Sequence, residues 1–450
     1  MAATRDGATN EWPNPIYAWY VVATLAVVNI VSLIDRQILT LLVEPIRADL
    51  GISDTGISLL HGFAFAIFYS CMALPIARLA DTKSRRMIIM VGITLWSLMT
   101  AACGLARNFW QLFLARMGVG VGEATLNPSA YSLISDYFPP QRMALPMGVF
   151  AAGIPAGVGL GLIAGGAAID IATSMGEVTI PLIGLVRPWQ MVFFVVGLAG
   201  IPVALLLTTV KEPLRKDARY TARTQNDLST GYPLREVVVF FRRNWQTYAT
   251  IFAGYTLLVA AATGSLAWTP TLLIRTLGLS ASEAGYLMGT VNLVGGTLGA
   301  VFGGALADWL QRHGDPIAKV RVLLLGGLLL PIPHILGPLM PTASGVMIFF
   351  FFFVFLGAMT AAPTLSAIQD MTPNQMRGQA SALLYFFVNL IGVGAGPFAV
   401  ALVTDYVFAD EMAVGYSMVA VAAVADVLAI TMILLCLRPY RRRMAEASSP

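Results

Sequence analysis

Charge is what this chain lacks. Only 12% of its 450 residues are Asp, Glu, Lys or Arg, about half the ~25% of an average soluble domain, and that deficit excludes a water-soluble globule. Cysteine is scarce as well. Cys71, Cys103 and Cys436 fall inside apolar runs with no pairing or ligand spacing, which removes a disulfide framework and a thiolate metal centre and reads them as small core hydrophobes. Among three histidines there is no His-Glu-x-x-His, and the chain has no Gly-Lys-[Ser/Thr] phosphate loop and no Gly-x-Ser-x-Gly. An enzyme is therefore not expected. Without an ATP site or any cofactor, uphill movement of a solute would have to draw on an ion gradient, a proton gradient being the expected source.

What the chain has instead is hydrocarbon: 57% of its residues are hydrophobic and its mean hydropathy is +0.75. Windows of roughly 20 apolar residues give twelve spans, at 17–43, 57–80, 87–106, 109–137, 143–170, 189–210, 247–275, 283–308, 320–340, 344–370, 376–406 and 413–437. Several exceed the ~20 residues a straight crossing needs, so tilts or kinks are expected. The fold class expected is an all-α membrane protein of twelve transmembrane helices in two pseudo-symmetric six-helix bundles. Positive loops stay cytoplasmic, and with both termini inside only Arg47, Arg107, Arg187 and Arg275 fall outside, while Arg36 and Arg116 lie within spans. The clusters Lys83/Arg85/Arg86, Lys211 to Arg243 and Arg441/Arg442/Arg443 then read as topology signals, and neither they nor a net charge of +4 call for nucleic acid. The expected location is a cell membrane, the inner one if the source is bacterial. Met1 to Pro15 is polar and no cleavable leader is expected.

The longest polar stretch divides the chain into a tail (1–16), a first six-span bundle (17–210), a linker (211–246), a second bundle (247–437) and a second tail (438–450). The halves repeat. Leu79-Ala80-Asp81 closes the second span as Leu306-Ala307-Asp308 closes the eighth, and Leu50-Gly51-Ile52-Ser53 precedes the second as Leu277-Gly278-Leu279-Ser280 precedes the eighth, both at an offset of 227. Asp136-Tyr-Phe-Pro139-Pro-Gln141 closes the fourth as Asp370-Met-Thr-Pro373-Asn-Gln375 closes the tenth, offset by 234. Ser280 and Glu283 have capping-box spacing, whereas Ser53 is followed by Gly56 where an acid or amide belongs; tolerated drift and an engineered change both fit.

Asp35 and Arg36 interrupt the first span, and a charge at membrane depth costs at least ~2.5–3.5 kcal/mol, which makes it a functional candidate. The fourth span carries Arg116-Met-Gly118-Val-Gly120-Val-Gly122-Glu123, with Arg116 and Glu123 on one helical face and small residues that admit a neighbouring helix. Counted from the outer ends, Asp35 and Arg116 are level and Glu123 is deeper, so contact of the first and fourth helices would join two acids and two bases in one buried network. A carboxylate whose ionisation depends on its neighbours and on water entry meets the requirement for a proton carrier; a static ion-pair pin is the alternative, and for Arg36 a snorkelling role. The second half offers Tyr255, Trp268, Tyr385, Phe386, Phe387 and Asn389 in place of charge. A cavity between halves would be charged on one wall and aromatic on the other, suiting an amphipathic ligand. Phe349 to Phe353 reads as lipid-facing, and Asp426 stays unassigned. Gly/Pro runs at Gly153 to Gly159 and Gly392 to Pro397 suit kinked helices that bend past one another, or simply tight packing.

These residues resemble the major facilitator superfamily. Ala77-Arg-Leu-Ala-Asp81-Thr-Lys-Ser84-Arg85-Arg86 is similar to its signature loop between the second and third helices, with Ala77 and Ser84 where Gly is usual, and implies a gating role for Asp81 and Arg85. Arg116 with Gly120 is similar to its fourth-helix basic motif, and the fifth-span Gly/Pro run resembles its antiporter signature loosely. Ile34-Asp35-Arg36 and Gly120-Val-Gly-Glu123-Ala124 with Asn127-Pro128 resemble the Spinster family within it. That resemblance implies proton-coupled export of lysolipid- or sphingoid-like amphiphiles by alternating access. It puts Asp35 and Glu123 on the proton and Arg36 and Arg116 near a substrate head group or as counter-ions; Asn127, Tyr255, Trp268, Tyr385, Phe386 and Asn389 are the residues expected to line the substrate cavity. The partners expected are an amphipathic or lipid substrate, protons and membrane lipids, and the chain is expected to act as a monomer. Proton symport of a small organic anion is the same-class alternative. A transporter-fold receptor or scaffold is the other, against which the short tails count.

Overall fold

Asn14 starts the first helix. Its side-chain oxygen accepts the Ile16 N–H at 2.9 Å and Pro15 takes the first helical position, where a missing N–H has no bond to lose. The computed structural model describes residues 12–139, 142–181, 184–213, 234–373 and 376–447, so most of the 1–16 tail, most of the 211–246 linker and the side chain of Asp81 lie outside the described residues.

Among the described residues eleven helices are long and apolar enough to cross a membrane: Pro15–Leu41, Asp54–Ala73, Arg85–Cys103, Leu145–Met175, Pro188–Thr209, Trp245–Leu277, Ala281–Arg312, Ala318–Leu339, Ala343–Met371, Arg377–Phe408 and Glu411–Ala445. The remaining crossing is the fourth span, broken into Phe109–Glu123 and Leu126–Tyr137. Pro128 explains the break, because it has no N–H for the Ala124 carbonyl and its ring crowds that carbonyl. The break leaves Glu123 as the last residue of a helix inside the protein. With that crossing counted, the twelve-span expectation is borne out.

The duplication recurs as chemistry. Arg85 at the start of the third span pairs with Asp136 at the end of the fourth, and Lys319 at the start of the ninth pairs with Asp370 at the end of the tenth; both partners are 51 residues apart. The two halves meet along the fifth and eighth spans and along the second and eleventh. At the latter seam both helices carry π-helical turns, Leu59–Phe63 and Val388–Val393, a distortion that frees backbone groups and gathers at functional sites. The fifth span stays one helix with Pro155 inside it. Ser280 and Glu283 form the expected capping box, and Ser53 caps the Gly56 N–H at 3.2 Å without a return bond.

Two readings of the apolar runs need correction. Phe350 and Phe353 are buried while Phe352 is 51% exposed, because residues three apart share a helical face; the phenylalanine run is thus half core. Cys103 and Cys436 are buried, but Cys71 is exposed.

Close helix approach can be tested at adjacent glycines of the eighth span. A Cβ on Gly303 would collide with the Met359 carbonyl of the tenth, whereas one on Gly304 meets nothing. We expect Gly303→Val to destabilise the protein by about 1–3 kcal/mol through overpacking and Gly304→Val to leave it unchanged. Thermal unfolding of the purified variants reads the difference; equal midpoints would refute the packing.

Candidate functional site

Asp35 and Arg36 are consecutive, and a helix turns about 100° per residue, so they project to different neighbours. Arg36 Nε lies 2.6 Å from Glu123 Oε2, with the Arg36 side chain 25% exposed and Glu123 buried. The guanidinium rests on the rings of Phe65 (4.2 Å) and Tyr69 (5.0 Å), a cation–π shelf, and Asn127 Nδ2 donates to Tyr69 Oη at 2.9 Å. Gly120 brings this shelf in, since a Cβ there would meet the Phe65 carbonyl at 2.7 Å. Arg116, fully buried, donates to the Asp35 backbone carbonyl at 3.2 Å. The expected four-charge cluster is thus resolved into one ion pair, Arg36–Glu123, and one contact of Arg116 with the backbone of Asp35. The Asp35 Oδ1, Glu123 Oε1 and Arg116 Nε atoms are buried without a hydrogen-bond partner.

Across from this wall stands the second half. Tyr385 neighbours Tyr69 and Tyr131 of the first half, yet Tyr131 is 39%, Tyr385 48% and Phe386 40% exposed. Side chains that neighbour one another across the halves and stay accessible border an open space, here toward the end of the bundle that carries the basic loops. Tyr255 is half-buried beside Tyr385, and Asn389, half-buried, donates to the Tyr385 carbonyl at the start of a π turn. Trp268 stands apart from them: it is buried and its indole donates to the Pro397 carbonyl at 2.9 Å. In this conformation it packs the seam between halves. A concave space with ion-paired charge on one side and tyrosine and phenylalanine on the other can hold a molecule with a polar end and an apolar end.

The family profile of the Major Facilitator Superfamily matches residues 25–397. The chain belongs to that superfamily. It is 29% identical over 437 residues to an MFS-type efflux pump of Mycolicibacterium smegmatis, covering 96% of this chain and 95% of that one. It is 28% identical to the human protein spinster homolog 1 over 86% of this chain and 72% of that protein. Among solved structures it is similar to a bacterial homolog of the human lysosomal transporter Spinster in an inward-facing, unoccupied conformation, with a TM-score of 0.75, 24% identity, and coverage of 97% and 99%. The protein is a transporter of this superfamily, multi-pass in the membrane and Spinster-like.

For such a transporter the contacts that close one end matter as much as the site. At the end opposite the basic loops, Arg275 of the second half holds Glu44 at 2.6 Å and grips Asp54 with both terminal nitrogens at 2.9 and 3.1 Å. Arg47 of the first half reaches Asp54 at 3.0 Å and pairs with Glu411 of the second. Thr55 adds two bonds to Asp405, at 2.6 and 2.7 Å. Arg275 sits in the last turn of its helix and Asp54 in the first turn of another, where helix dipoles favour those charges. These residues form a lock that the sequence reading passed over as topology. One signal was available: Arg47 and Arg275 are counterparts to within a residue of the 227 repeat offset.

The basic end has a latch within the first half. Arg85 is buried, pairs with Asp136, donates to the Ser132 carbonyl at 3.0 Å and reaches Glu212 at 2.8 Å. Partial burial pushes the Glu212 carboxyl up, but the Arg86 N–H, the Arg85 guanidinium and the Ser84 hydroxyl donate to it and hold it below its ordinary value. Arg85 is thereby tied to the linker that follows the sixth span.

Two outcomes follow from these geometries. Arg275→Gln leaves Asp54 buried beside a single cation, and spin-label distances should report a shift toward the form open at the lock end on the order of tenfold or more; unchanged distances would remove Arg275 from the lock. A carboxyl held low in the fold contributes stability above its unfolded value of about 4.3 that is lost as pH falls through the folded one. Melting midpoints of the native protein should therefore fall as pH drops below about 4.3, and Glu212→Gln should start from a lower midpoint at neutral pH and fall less in the same pH series.

Proposed function

We propose that the protein is a proton-coupled secondary transporter that exports amphipathic, lysolipid- or sphingoid-like molecules by alternating access, with the basic end cytoplasmic. The positive-inside rule supports that orientation, which makes the conformation described here open to the cytoplasm and locked outside. The observation that carries the reading is that the Arg36 guanidinium, paired with Glu123, rests on the ring of Tyr69, which neighbours the accessible Tyr385 of the other half. The likeness to a bacterial efflux pump supports the direction, and the resemblance to the Spinster family implies the substrate class.

The chemistry of exchange is a competition. A buried carboxylate oxygen without a partner is costly, and either a proton or the ammonium of a sphingoid or zwitterionic head group relieves it at Asp35 or Glu123. Because the two are alternative occupants, binding one from one side drives out the other. Arg36, released when Glu123 is neutralised, remains on its aromatic shelf facing the space, placed for a phosphate; Arg116 holds the Asp35 backbone in position. The hydrocarbon chain lies against the tyrosine and phenylalanine wall, where burial contributes ~25 cal/mol per Å². Asp81 and Arg85 act in gating at the basic end.

Transport of a lysolipid or sphingoid base into proteoliposomes under an imposed pH gradient tests this. Asp35→Asn and Glu123→Gln, which mimic the protonated carboxyl, are expected to weaken substrate binding and to lose gradient-driven accumulation by about tenfold or more. Undiminished coupling in both variants would overturn the assignment. Proton flux in the same direction as a small organic anion would instead favour symport on Arg36 and Arg116.

A further inference from the structure

The second half holds one ionisable pair that this transport scheme leaves unused. His334, near the lock end of the ninth span, places Nδ1 2.8 Å from Asp426 Oδ2 of the twelfth. The two are 2% and 0% exposed, and His334 Nε2 and Asp426 Oδ1 have no hydrogen-bond partner. The imidazole borders a small cavity shared with Ser265 and Thr269 of the seventh span, Phe350 and Phe353 of the tenth, and Met418 of the twelfth.

We propose that His334 and Asp426 form a second proton-binding site, in the second half, whose occupancy is tied to the lock. Two states of the pair matter. With the proton, an imidazolium donates from Nδ1 to the carboxylate, Nε2 carries the exchangeable proton and the pair is neutral. Without it, a neutral imidazole still donates from Nδ1, and one negative charge is left in an apolar interior. Which ring nitrogen exchanges is set by the bond the other makes, so the proton leaves from Nε2. Among the described residues, the packed surroundings supply no second cation. The tenth span presents Phe350 and Phe353, and its Asp370 is engaged with Lys319 of the ninth. Arg321 of the ninth is paired with Asp315. The twelfth presents Asp426 and Met418, with Tyr416, Arg438 and Tyr440 elsewhere along it. The seventh presents Ser265 and Thr269, with Tyr248 and Tyr255 toward its other end and Arg275 engaged with Glu44 and Asp54. Stranding that negative charge is unfavourable while the cavity stays dry, so the closed form retains the proton.

The route for release follows from the seventh span. Its Ser265 and Thr269 border the imidazole and its Arg275 belongs to the lock, all on the single helix Trp245–Leu277. Opening the lock frees that helix end and admits water to the pair, and the proton departs to the side that has just opened. The site would thus add a proton step in the half that carries no charge on its cavity wall. It goes beyond the Asp35 and Glu123 scheme and does not depend on it.

Nitrogen NMR of histidine-labelled full-length protein in lipid nanodiscs, with a His334→Gln sample to assign the signal, tests the proposal without any transport measurement. At pH 6 we expect Nε2 to be protonated in the native protein. In Asp426→Asn the protonated fraction should fall about tenfold, and in Arg275→Gln the Nε2 proton should be lost at a pH where the native protein keeps it. An unprotonated Nε2 at pH 6 in the native protein would show a static hydrogen bond to a neutral ring and overturn the proposal, as would a proton retained through pH 9 in both the native protein and Arg275→Gln. If Asp426→Asn does not fold, the native and Arg275→Gln spectra still decide. Loss of the Asp35 and Glu123 scheme would leave these spectra unaffected, so the two readings fail separately.

Discussion

A charge placed in hydrocarbon must find a partner, and in this protein that requirement organises the first half. Arg36 leaves the first span and meets Glu123 of the fourth at 2.6 Å; Arg116 leaves the fourth and meets the first at Asp35. The two helices cannot separate without stranding at least one ion, a penalty of several kcal/mol. Phe65 and Tyr69 of the second span close the other side of the Arg36 guanidinium, so three spans are held to one register by a single cation. The break at Pro128 completes the arrangement by ending a helix at Glu123, where the carboxylate need not fit a continuous helix wall.

The same electrostatic rule works differently between the halves. Contacts that join the bundles at the lock end are ionic, with Asp54 fully buried and Glu411 60% exposed in its side chain. A lock of this mixed kind can be broken and remade. Moving an equilibrium from 1:99 to 99:1 takes about 5.5 kcal/mol of differential binding, a range that one buried pair and a few partly solvated ones can reach, whereas a fully apolar seam of the same area would not respond to charge at the site. Inside each half the pairs Arg85–Asp136 and Lys319–Asp370 tie neighbouring spans of one bundle together, while the π turns lie at the seam between halves.

How much of this was legible depended on whether the information was local. Hydropathy is local, and the twelve crossings followed from it; the break in the fourth was within reach of the same reading, because Asn127-Pro128 stands in mid-span. Depth counting placed Asp35 level with Arg116, as the contact between them reflects. It could not assign partners, since Asp35 and Arg36 point about 100° apart and only the packing decides which neighbour each meets. The lock residues sit in short polar turns where a charge is ordinary, and their meaning arises from the closing of one half on the other. The phenylalanine run looked uniform in composition, yet a helix buries one stripe of it and exposes another. Asp426 was visible as a lone acid; its partner lies 92 residues away on a different span, at a spacing no motif describes.

The two halves share an architecture and differ in where they keep charge. The first carries its ions beside the cavity, with the Arg36 side chain 25% exposed and Glu123 buried behind it. The second keeps His334 and Asp426 behind the wall, under Phe353 and beside the seventh span, where they touch no part of the open space. A pair so placed would be a poor ligand site and a good register of helix position, because its free energy depends on whether water reaches it. The seventh span ends in Arg275, which the lock holds to the first half. On the proposed scheme, a displacement there would change the hydration of His334. In a duplicated fold, that proposed division would let one half sense the solute and the other sense the state of the gate.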